Sequence, residues 1–174
     1  YLDRIAQLTN KSNQFNLTTK RYSQSDIEAV AADDSYITLY GKLEDKFGDN
    51  GVVSVVIAKK EGDTAHIILW LMSCRVLKRD MEFAMMDELV KKAQAAGIKK
   101  IVGYYYPTAK NAMVKDFYGL QGFTKISEDE DGNPAETSTD SDGSYSIRLL
   151  EGCYTAEFSK DGFITGYANE VSKN

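Results

Sequence analysis

A continuous apolar run at residues 67–72 predicts a strand that is buried on both faces of a sheet. After Ser73 and Cys74, a polar, basic turn follows at 75–80. From Met81 to Ala96 apolar residues return at helical spacing, and Gly97 is placed to end that helix. Because the first N–H groups of a helix are unpaired and carry the positive end of its dipole, the turn is a place where an anion can bind.

The remaining apolar pattern predicts alternating strands and helices. Before the central strand, the pattern predicts a helix that carries Leu2, Ile5 and Leu8 and ends in the polar cluster 9–14, a first strand at 15–22, and a helix that starts at the capping box 25–28. Strands at 36–40 and 52–57 and a hairpin turn at 61–63 follow. After Gly97 the pattern predicts a strand at 100–106, a helix at 110–120 and a strand from 123. Two strand–helix units after a hairpin predict an α/β (α+β) sheet of mixed direction.

The C-terminal part of the chain, from residue 128, has a different composition and pattern. Residues 128–143 are acidic and rich in turn formers, and residues 140–143 supply only part of a calcium-loop pattern, so a solvated turn is the expectation. Residues 145–149 and 154–158 alternate as strands. We expect 145–149 to close the main sheet as its last strand and the remainder to add a hairpin.

The composition limits which partners and which catalytic groups the chain can have. The 174 residues carry a net charge of −5, which argues against nucleic acid or an anionic membrane as the main partner. With two cysteines and one histidine, the chain lacks material for a zinc site or a Ser-His-Asp triad, so no metal is expected. His66 lies within a strand pattern, where a packed histidine is the expectation.

The chain shows no signal peptide and no membrane-spanning run, and its few cysteines favour the cytoplasm. It opens without Met and already in helical register, which indicates a piece of a longer protein.

Two motifs resemble the GNAT acyltransferase superfamily. The turn RVLKRD at 75–80 lies where that family keeps an R-x-x-G-x-G/A pyrophosphate loop, and YGLQGF at 118–123 resembles its Y-x-x-x-G-F ending. The resemblance implies a mixed, mostly antiparallel central sheet flanked by helices, here followed by a β-rich tail. It implies acetyl-CoA or a carrier-bound phosphopantetheine as cofactor, held by Cys74, Arg75, Val76, Leu77, Lys78, Arg79, Asp80, Met81 and Asn111.

The turn departs from the family pattern at both glycine positions, which hold Lys78 and Asp80. A β-carbon there obstructs a pyrophosphate, and at ~5 Å the Asp80 carboxylate repels each phosphate charge by roughly 1–3 kcal/mol. One interpretation is a cleft reworked for a carrier-borne arm. The other is a degenerate loop in which Asp80 merely caps the helix.

Each candidate catalytic residue has a structural alternative. Tyr118 matches the family tyrosine that protonates the departing thiolate, or it packs helix on sheet. Cys74 can hold an acyl group as a thioester, or it is a buried, inert thiol. Asn111 binds the acyl arm, or it starts its helix. The central strand lacks the Asp or Glu that many GNAT enzymes use as a base.

A narrower resemblance is to FkbH-like proteins, in which a phosphatase-type HAD domain precedes a GNAT-like domain. It rests on QLTNKSNQFNLTT at 7–19, WLMSCRVL at 70–77 and GYYYPTAKNAMVKD at 103–116. It implies a linker helix at 1–14, a GNAT-like domain at 15–130 and a tail at 131–174. The implied partners are an acyl carrier protein and an upstream HAD-like domain.

The implied activity is transfer of a glyceryl unit to the carrier thiol. A non-catalytic carrier-docking domain and a stand-alone acetyl-CoA-dependent N-acetyltransferase are the alternatives.

Overall fold

The computed structural model describes residues 1–45, 48–77, 80–125, 149–150 and 153–157. One sheet is built from β1 (Tyr36–Asp45), β2 (Gly48–Glu61), β3 (Thr64–Met72), β4 (Lys100–Tyr104), β5 (Thr124–Lys125), β6 (Leu149–Leu150) and β7 (Cys153–Glu157). Its order is β1-β2-β3-β4-β7-β5, with β6 also paired to β7. Among these strands β3 and β4 pair in parallel and the other pairs are antiparallel, which confirms the predicted mixed, mostly antiparallel sheet.

Helices cover both faces of the sheet. They are α1 (Leu2–Lys11), α2 (Gln24–Ala32), α3 (Met81–Ala95) and the short α4 (Phe117–Leu120). Apolar residues of α1 and α2 join one core with β2 and β3, and those of α3 and α4 join a second core on the opposite face. The strand β3 is buried between these two cores, as its unbroken apolar run predicts.

A β-bulge interrupts β3 near its middle. The partner of Ala58 on β2 is Ile67, but the partner of the preceding Ile57 is Leu69, so Ile68 is an extra residue. The bulge changes which side chains face α3, because Ile67 and Trp70, three positions apart, belong to the same core. A strict two-residue alternation would have placed them on opposite faces.

The start of α2 differs from the prediction. Its N-cap is Ser23 rather than Ser25: the Ser23 hydroxyl accepts from the Asp26 N–H, and the Asp26 carboxylate accepts from the Ser23 N–H. This is a complete capping box, with aspartate where the sequence analysis looked for glutamate. The helix therefore begins at Gln24.

The single helix predicted at 110–120 is wrong. The chain instead forms a 3-10 turn (Ala112–Val114) and then α4. The Thr108 hydroxyl accepts from the N–H groups of Lys110 and Asn111, and the Asn111 side chain accepts from the Thr108 N–H. Such local side-chain bonds compete with helix formation, so regular helix is delayed until Phe117.

The strand beside β4 is β7, formed by Cys153–Glu157. The sequence analysis expected 145–149 to be the last strand of the sheet, and of that range only Leu149 is described. Leu149–Leu150 pairs with the other edge of β7 as a hairpin arm. Residues 145–148 and the acidic segment 128–143, with its candidate calcium loop, lie outside the described residues. The predicted division at residue 130 stays a prediction.

Candidate active site

The two central strands pair over only part of their length. Parallel pairing of β3 with β4 runs from Thr64 opposite Lys100 to Ile67 opposite Gly103 and ends there. β3 continues for five residues to Met72, while β4 ends at Tyr104. Beyond the last pair the two strands no longer pair with each other, and a cleft opens between them. The chain then leaves β3 through the basic turn into α3.

Residues 15–18, here called the cleft segment, lie in this opening and bind both of its edges. On the β3 side the Leu17 N–H donates to the Trp70 carbonyl (3.0 Å), and the Met72 N–H donates to the Phe15 carbonyl (3.0 Å). On the other side the Tyr106 N–H donates to the Leu17 carbonyl (2.8 Å). The segment therefore bridges β3 and the chain that follows β4, beyond the point where the pairing of the two strands ends.

The predicted first strand at 15–22 is consequently wrong. Only an isolated antiparallel bridge, Asn16 with Leu71, is formed there. The extended run is cut short at Thr19, whose φ of 56° is left-handed and whose N–H donates to the Asn16 side chain. A residue with such a φ cannot continue a strand.

Side chains hold the cleft segment in place. Leu17 is fully buried, and the Phe15 ring packs edge-on against Phe117 with centroids 5.1 Å apart. The Thr18 hydroxyl donates to the carbonyl of Ile68, the extra residue of the bulge (2.9 Å). The segment is thus docked through side chains as well as backbone.

Asn111 ties the segment to the strand that follows. This side chain is fully buried, and its amide group donates to the carbonyls of Asn16 (3.0 Å) and Tyr106 (2.9 Å). Its oxygen accepts from the Thr108 N–H. Asn111 therefore contacts the cleft segment, and it stands directly before the 3-10 turn Ala112–Val114. Its binding of an acyl arm stays a prediction.

Tyr118 lies where the two strands separate. A β-carbon on Gly103, the last residue of β4 that pairs with β3, would be only 2.3 Å from carbons of the Tyr118 ring. The ring is fully buried and packs 5.3 Å from Phe117 and 5.0 Å from Phe123, measured between centroids. Tyr118 therefore packs in the core, as the structural alternative in the sequence analysis expected. Its role as a general acid stays a prediction.

The basic turn combines exposed and anchored residues. Cys74 and Arg75 are exposed, Leu77 is half-buried, and Val76 and Met81 are buried in the core on the α3 face. A 3-10 turn (Cys74–Val76) starts it, with the Ser73 hydroxyl accepting from the Arg75 N–H. Lys78 and Arg79 lie outside the described residues. The expected buried thiol at Cys74 is wrong, because the turn leads it out of the core.

A polar pocket, which we call the His66 pocket, lies at the other side of the cleft segment. It has a volume of about 280 Å³, and both Thr18 and Ile68 line it. His66 Nδ1 is 2.7 Å from the Tyr104 hydroxyl, and His66 Nε2 is 3.7 Å from a carboxylate oxygen of Glu61. Burial lowers the pKa of His66 below its usual range.

The sequence analysis expected a packed histidine and missed this pocket. Only the pairing register of β3 with β4 shows that His66 and Tyr104 are neighbours. Val102 pairs with His66, and Tyr104 is the next residue on the same face of β4. That register depends on a parallel pairing that no local pattern reveals.

Known structures share the overall fold of this chain. The ribosomal-protein-S18-alanine N-acetyltransferase of Escherichia coli is similar to this chain with a TM-score of 0.56 at 12% identity, over 95% of this chain and 92% of that one. Ard1 from Thermoplasma volcanium gives a TM-score of 0.55 at 15% identity, over 89% and 88%. Rv2747 from Mycobacterium tuberculosis, solved in complex with CoA and NLQ, gives 0.56 at 15% identity, over 74% and 69%.

The chain has the GNAT fold. No protein-family model matches its sequence, and no curated protein sequence does either. Within the part of the chain that the structure describes, no helix is long and apolar enough to cross a membrane. The same residues contain no group of three or more His, Cys, Asp or Glu side chains placed to hold a metal ion.

In this GNAT fold Asp80 opens α3 with an unusual backbone. Its φ of 57° is left-handed, and its side chain makes no capping hydrogen bond. The capping role considered for Asp80 is therefore wrong. Glycine adopts this conformation without steric cost, so the position keeps the backbone of a glycine loop while carrying an aspartate.

We expect Asp80→Gly to raise the free energy of unfolding by about 1 kcal/mol, because the left-handed strain disappears. Loss of the carboxylate should also strengthen acetyl-CoA binding by about tenfold, since roughly 1–3 kcal/mol of repulsion is removed. Denaturant unfolding and calorimetric titration measure the two effects. Asp80→Asn is the matched control, because it removes the charge and keeps the β-carbon. An unchanged affinity in both variants would place the anion elsewhere.

Glu82, in the first turn of α3, is half-buried. Burial raises its pKa above the usual range, its own backbone N–H partly offsets this, and Asp80 raises it further. A raised carboxyl pKa contributes stability at low pH that is lost as the pH rises through the folded-state pKa. We therefore expect Glu82→Gln to stabilise the protein at pH 7, with the gain shrinking as the pH falls toward 4. Unfolding curves at several pH values test this, and a gain that grows on acidification would contradict it.

Proposed function

We propose that the chain is an acyltransferase domain that acts on an acyl thioester borne on a pantetheine arm. One observation carries the proposal: β3 and β4 separate beside the N-terminus of α3 and leave backbone groups of Trp70 and Tyr106 to be bonded by a third, extended element. A pantetheine arm carries two amide groups and is extended. It can therefore add to a strand edge as a peptide does.

The surroundings of the cleft also suit such an arm. The N-terminus of α3 attracts the phosphate end through unpaired N–H groups and the helix dipole, and Arg75 is exposed in the turn before it. Core residues line the inner end of the cleft, where a thioester would be shielded from water. Several chains of the same fold are described as complexes with CoA, which supports acyl-CoA or a carrier-bound arm as the donor here.

In the finer form of the proposal, the acyl group is a glyceryl unit and the acceptor is the thiol of an acyl carrier protein. The resemblance to FkbH-like proteins supports this form, and it brings in an upstream HAD-like domain as a partner. The names of the similar structures instead favour an amine acceptor, as in a stand-alone N-acetyltransferase. The two forms differ in whether a thiol or an amine receives the acyl group.

A second candidate, a non-catalytic carrier-docking domain, is favoured by the cleft segment. That segment occupies the backbone sites an arm needs, and Asp80 opposes a pyrophosphate. In the acyltransferase proposal the segment leaves when the arm arrives, whereas in the docking proposal it stays. The carrier protein then binds the outer surface near the basic turn.

Titration and turnover separate these candidates. The protein should bind acetyl-CoA with a Kd in the micromolar range, worth about −8 kcal/mol, and should transfer the acetyl group to a carrier thiol. Lys78→Glu combined with Arg79→Glu should weaken binding, whereas Lys11→Glu, on exposed α1, should not. Carrier binding without any transfer supports docking. Transfer to amines only supports the N-acetyltransferase form.

A further inference from the structure

The His66 pocket is placed on the far side of the cleft segment from the turn that leads into α3. Its lining includes Thr18 of that segment and Ile68, the extra residue of the β3 bulge. Tyr106 also lines it, and its N–H is bonded to the Leu17 carbonyl. If the segment withdraws, the pocket and the cleft become one continuous space, with the bulge at their junction.

His66 is held in a defined orientation inside this pocket. Its Nδ1 atom is within hydrogen-bond distance of the Tyr104 hydroxyl, at 2.7 Å. When Nδ1–H donates to that hydroxyl, Nε2 carries the lone pair and is able to accept a proton. The Glu61 carboxylate, 3.7 Å from Nε2, is too far for a hydrogen bond but close enough to stabilise the imidazolium that results.

We propose that the His66 pocket receives the acyl acceptor and that His66 takes the proton from an acceptor thiol. This rests on the acyltransferase function proposed above and adds its base, which the central strand does not supply as Asp or Glu. The thiol S–H proton moves to Nε2 of His66, and the new thiolate forms a C–S bond with the donor carbonyl. The old C–S bond breaks, and the departing thiolate takes up a proton from the imidazolium.

A thiol matches this base better than an amine. Burial lowers the pKa of His66, Lys59 lowers it further, and Glu61 opposes both. Lys20, Tyr104 and Tyr106 also line the pocket. An ordinary imidazole lies about two pKa units below a thiol near 8.5 and about four below an ammonium group near 10.4. The lowered pKa of His66 widens both gaps, so the thiol keeps its advantage over the amine.

The chain contains one histidine, so NMR signals of the imidazole report on this pocket without ambiguity. Pantetheine, used as a free thiol probe, should shift the His66 signals of the 174-residue chain. The rate of acetyl transfer from acetyl-CoA to pantetheine should rise with pH through the His66 pKa measured by NMR. His66→Gln should lower that rate about 100-fold and remove this pH dependence.

Tyr104→Phe keeps the imidazole but frees its orientation, so it should lower the rate less and leave the pH dependence in place. Lys91→Gln, on the exposed side of α3, is the control and should behave as the wild type. A wild-type rate and pH profile in a folded His66→Gln protein would overturn the inference, as would pantetheine that binds without shifting the His66 signals. Pantetheine that shifts those signals in a protein with no transfer supports the pocket and contradicts the proposed acyltransferase function.

Discussion

Leu17→Ala should bind acetyl-CoA about 100-fold more tightly than the wild-type protein. Leu17 is fully buried in the cleft segment, and truncating such a leucine costs about 3 kcal/mol. Most of this cost falls on the docked segment, because the Leu17 N–H and carbonyl are the groups that bridge β3 and the chain after β4. A ligand that needs the segment undocked gains whatever free energy the docked state loses.

The control for this variant is Leu89→Ala. Leu89 is an equally buried leucine in α3, on the same core, and it does not belong to the cleft segment. Its truncation should lower the free energy of unfolding by a similar amount and leave acetyl-CoA affinity unchanged. Calorimetric titration of both variants gives the comparison. Equal affinities for Leu17→Ala and the wild type would mean that the segment does not compete with the ligand.

Gly103→Ala should destabilise the protein by about 3 kcal/mol, because overpacking a close-packed core forces side chains and backbone to move. The new β-carbon would be 2.3 Å from two ring atoms of Tyr118, and a ring fixed between Phe117 and Phe123 has little freedom to withdraw. Chemical denaturation measures the loss. Because Gly103 ends the parallel pairing, the same variant should also disturb the mouth of the cleft.

Gly119→Ala is the matched control. Gly119 lies in α4, next to Tyr118, and a β-carbon there meets nothing within 4 Å. Alanine is a better helix former than glycine, so this variant should be neutral or more stable by up to about 1 kcal/mol. If both alanine variants lose the same stability, the close contact between Gly103 and Tyr118 is not the cause.

The parts of the fold that follow local periodicity were predictable. The strand at 67–72, the turn after it and the helix ending before Gly97 correspond to β3, the basic turn and α3, whose final turn is followed by Gly97 at a φ of 74°. Each of these signals comes from neighbouring residues, so long-range pairing does not change them. The mixed direction of the sheet follows from the order of the strands and helices along the chain.

The parts decided by long-range contacts were not predictable. The alternation at 15–22 is that of a strand, but its partners are a bulged strand 50 residues on and an asparagine 95 residues on. The bulge at Ile68 has no mark in a run of apolar residues. The pairing of His66 with Tyr104 depends on the parallel register of two strands, which only the folded chain fixes.

The features of the candidate site also divide into those that the sequence could predict and those that it could not. The turn before α3 was located from sequence, but the left-handed backbone of Asp80 was not. The burial of Tyr118 and Asn111 and the exposure of Cys74 depend on how that turn and α4 pack. Composition alone gives no information on these contacts.

Hydrogen exchange at the Leu17 amide tests the central claim most directly, namely that a thioester arm and the cleft segment compete for the same backbone edges. In the free protein this amide is bonded to the Trp70 carbonyl and should exchange slowly. Saturating acetyl-CoA should accelerate its exchange while leaving the Leu89 amide, within α3, protected. A Leu17 amide that stays protected, or becomes more protected, when acetyl-CoA is bound would contradict the account.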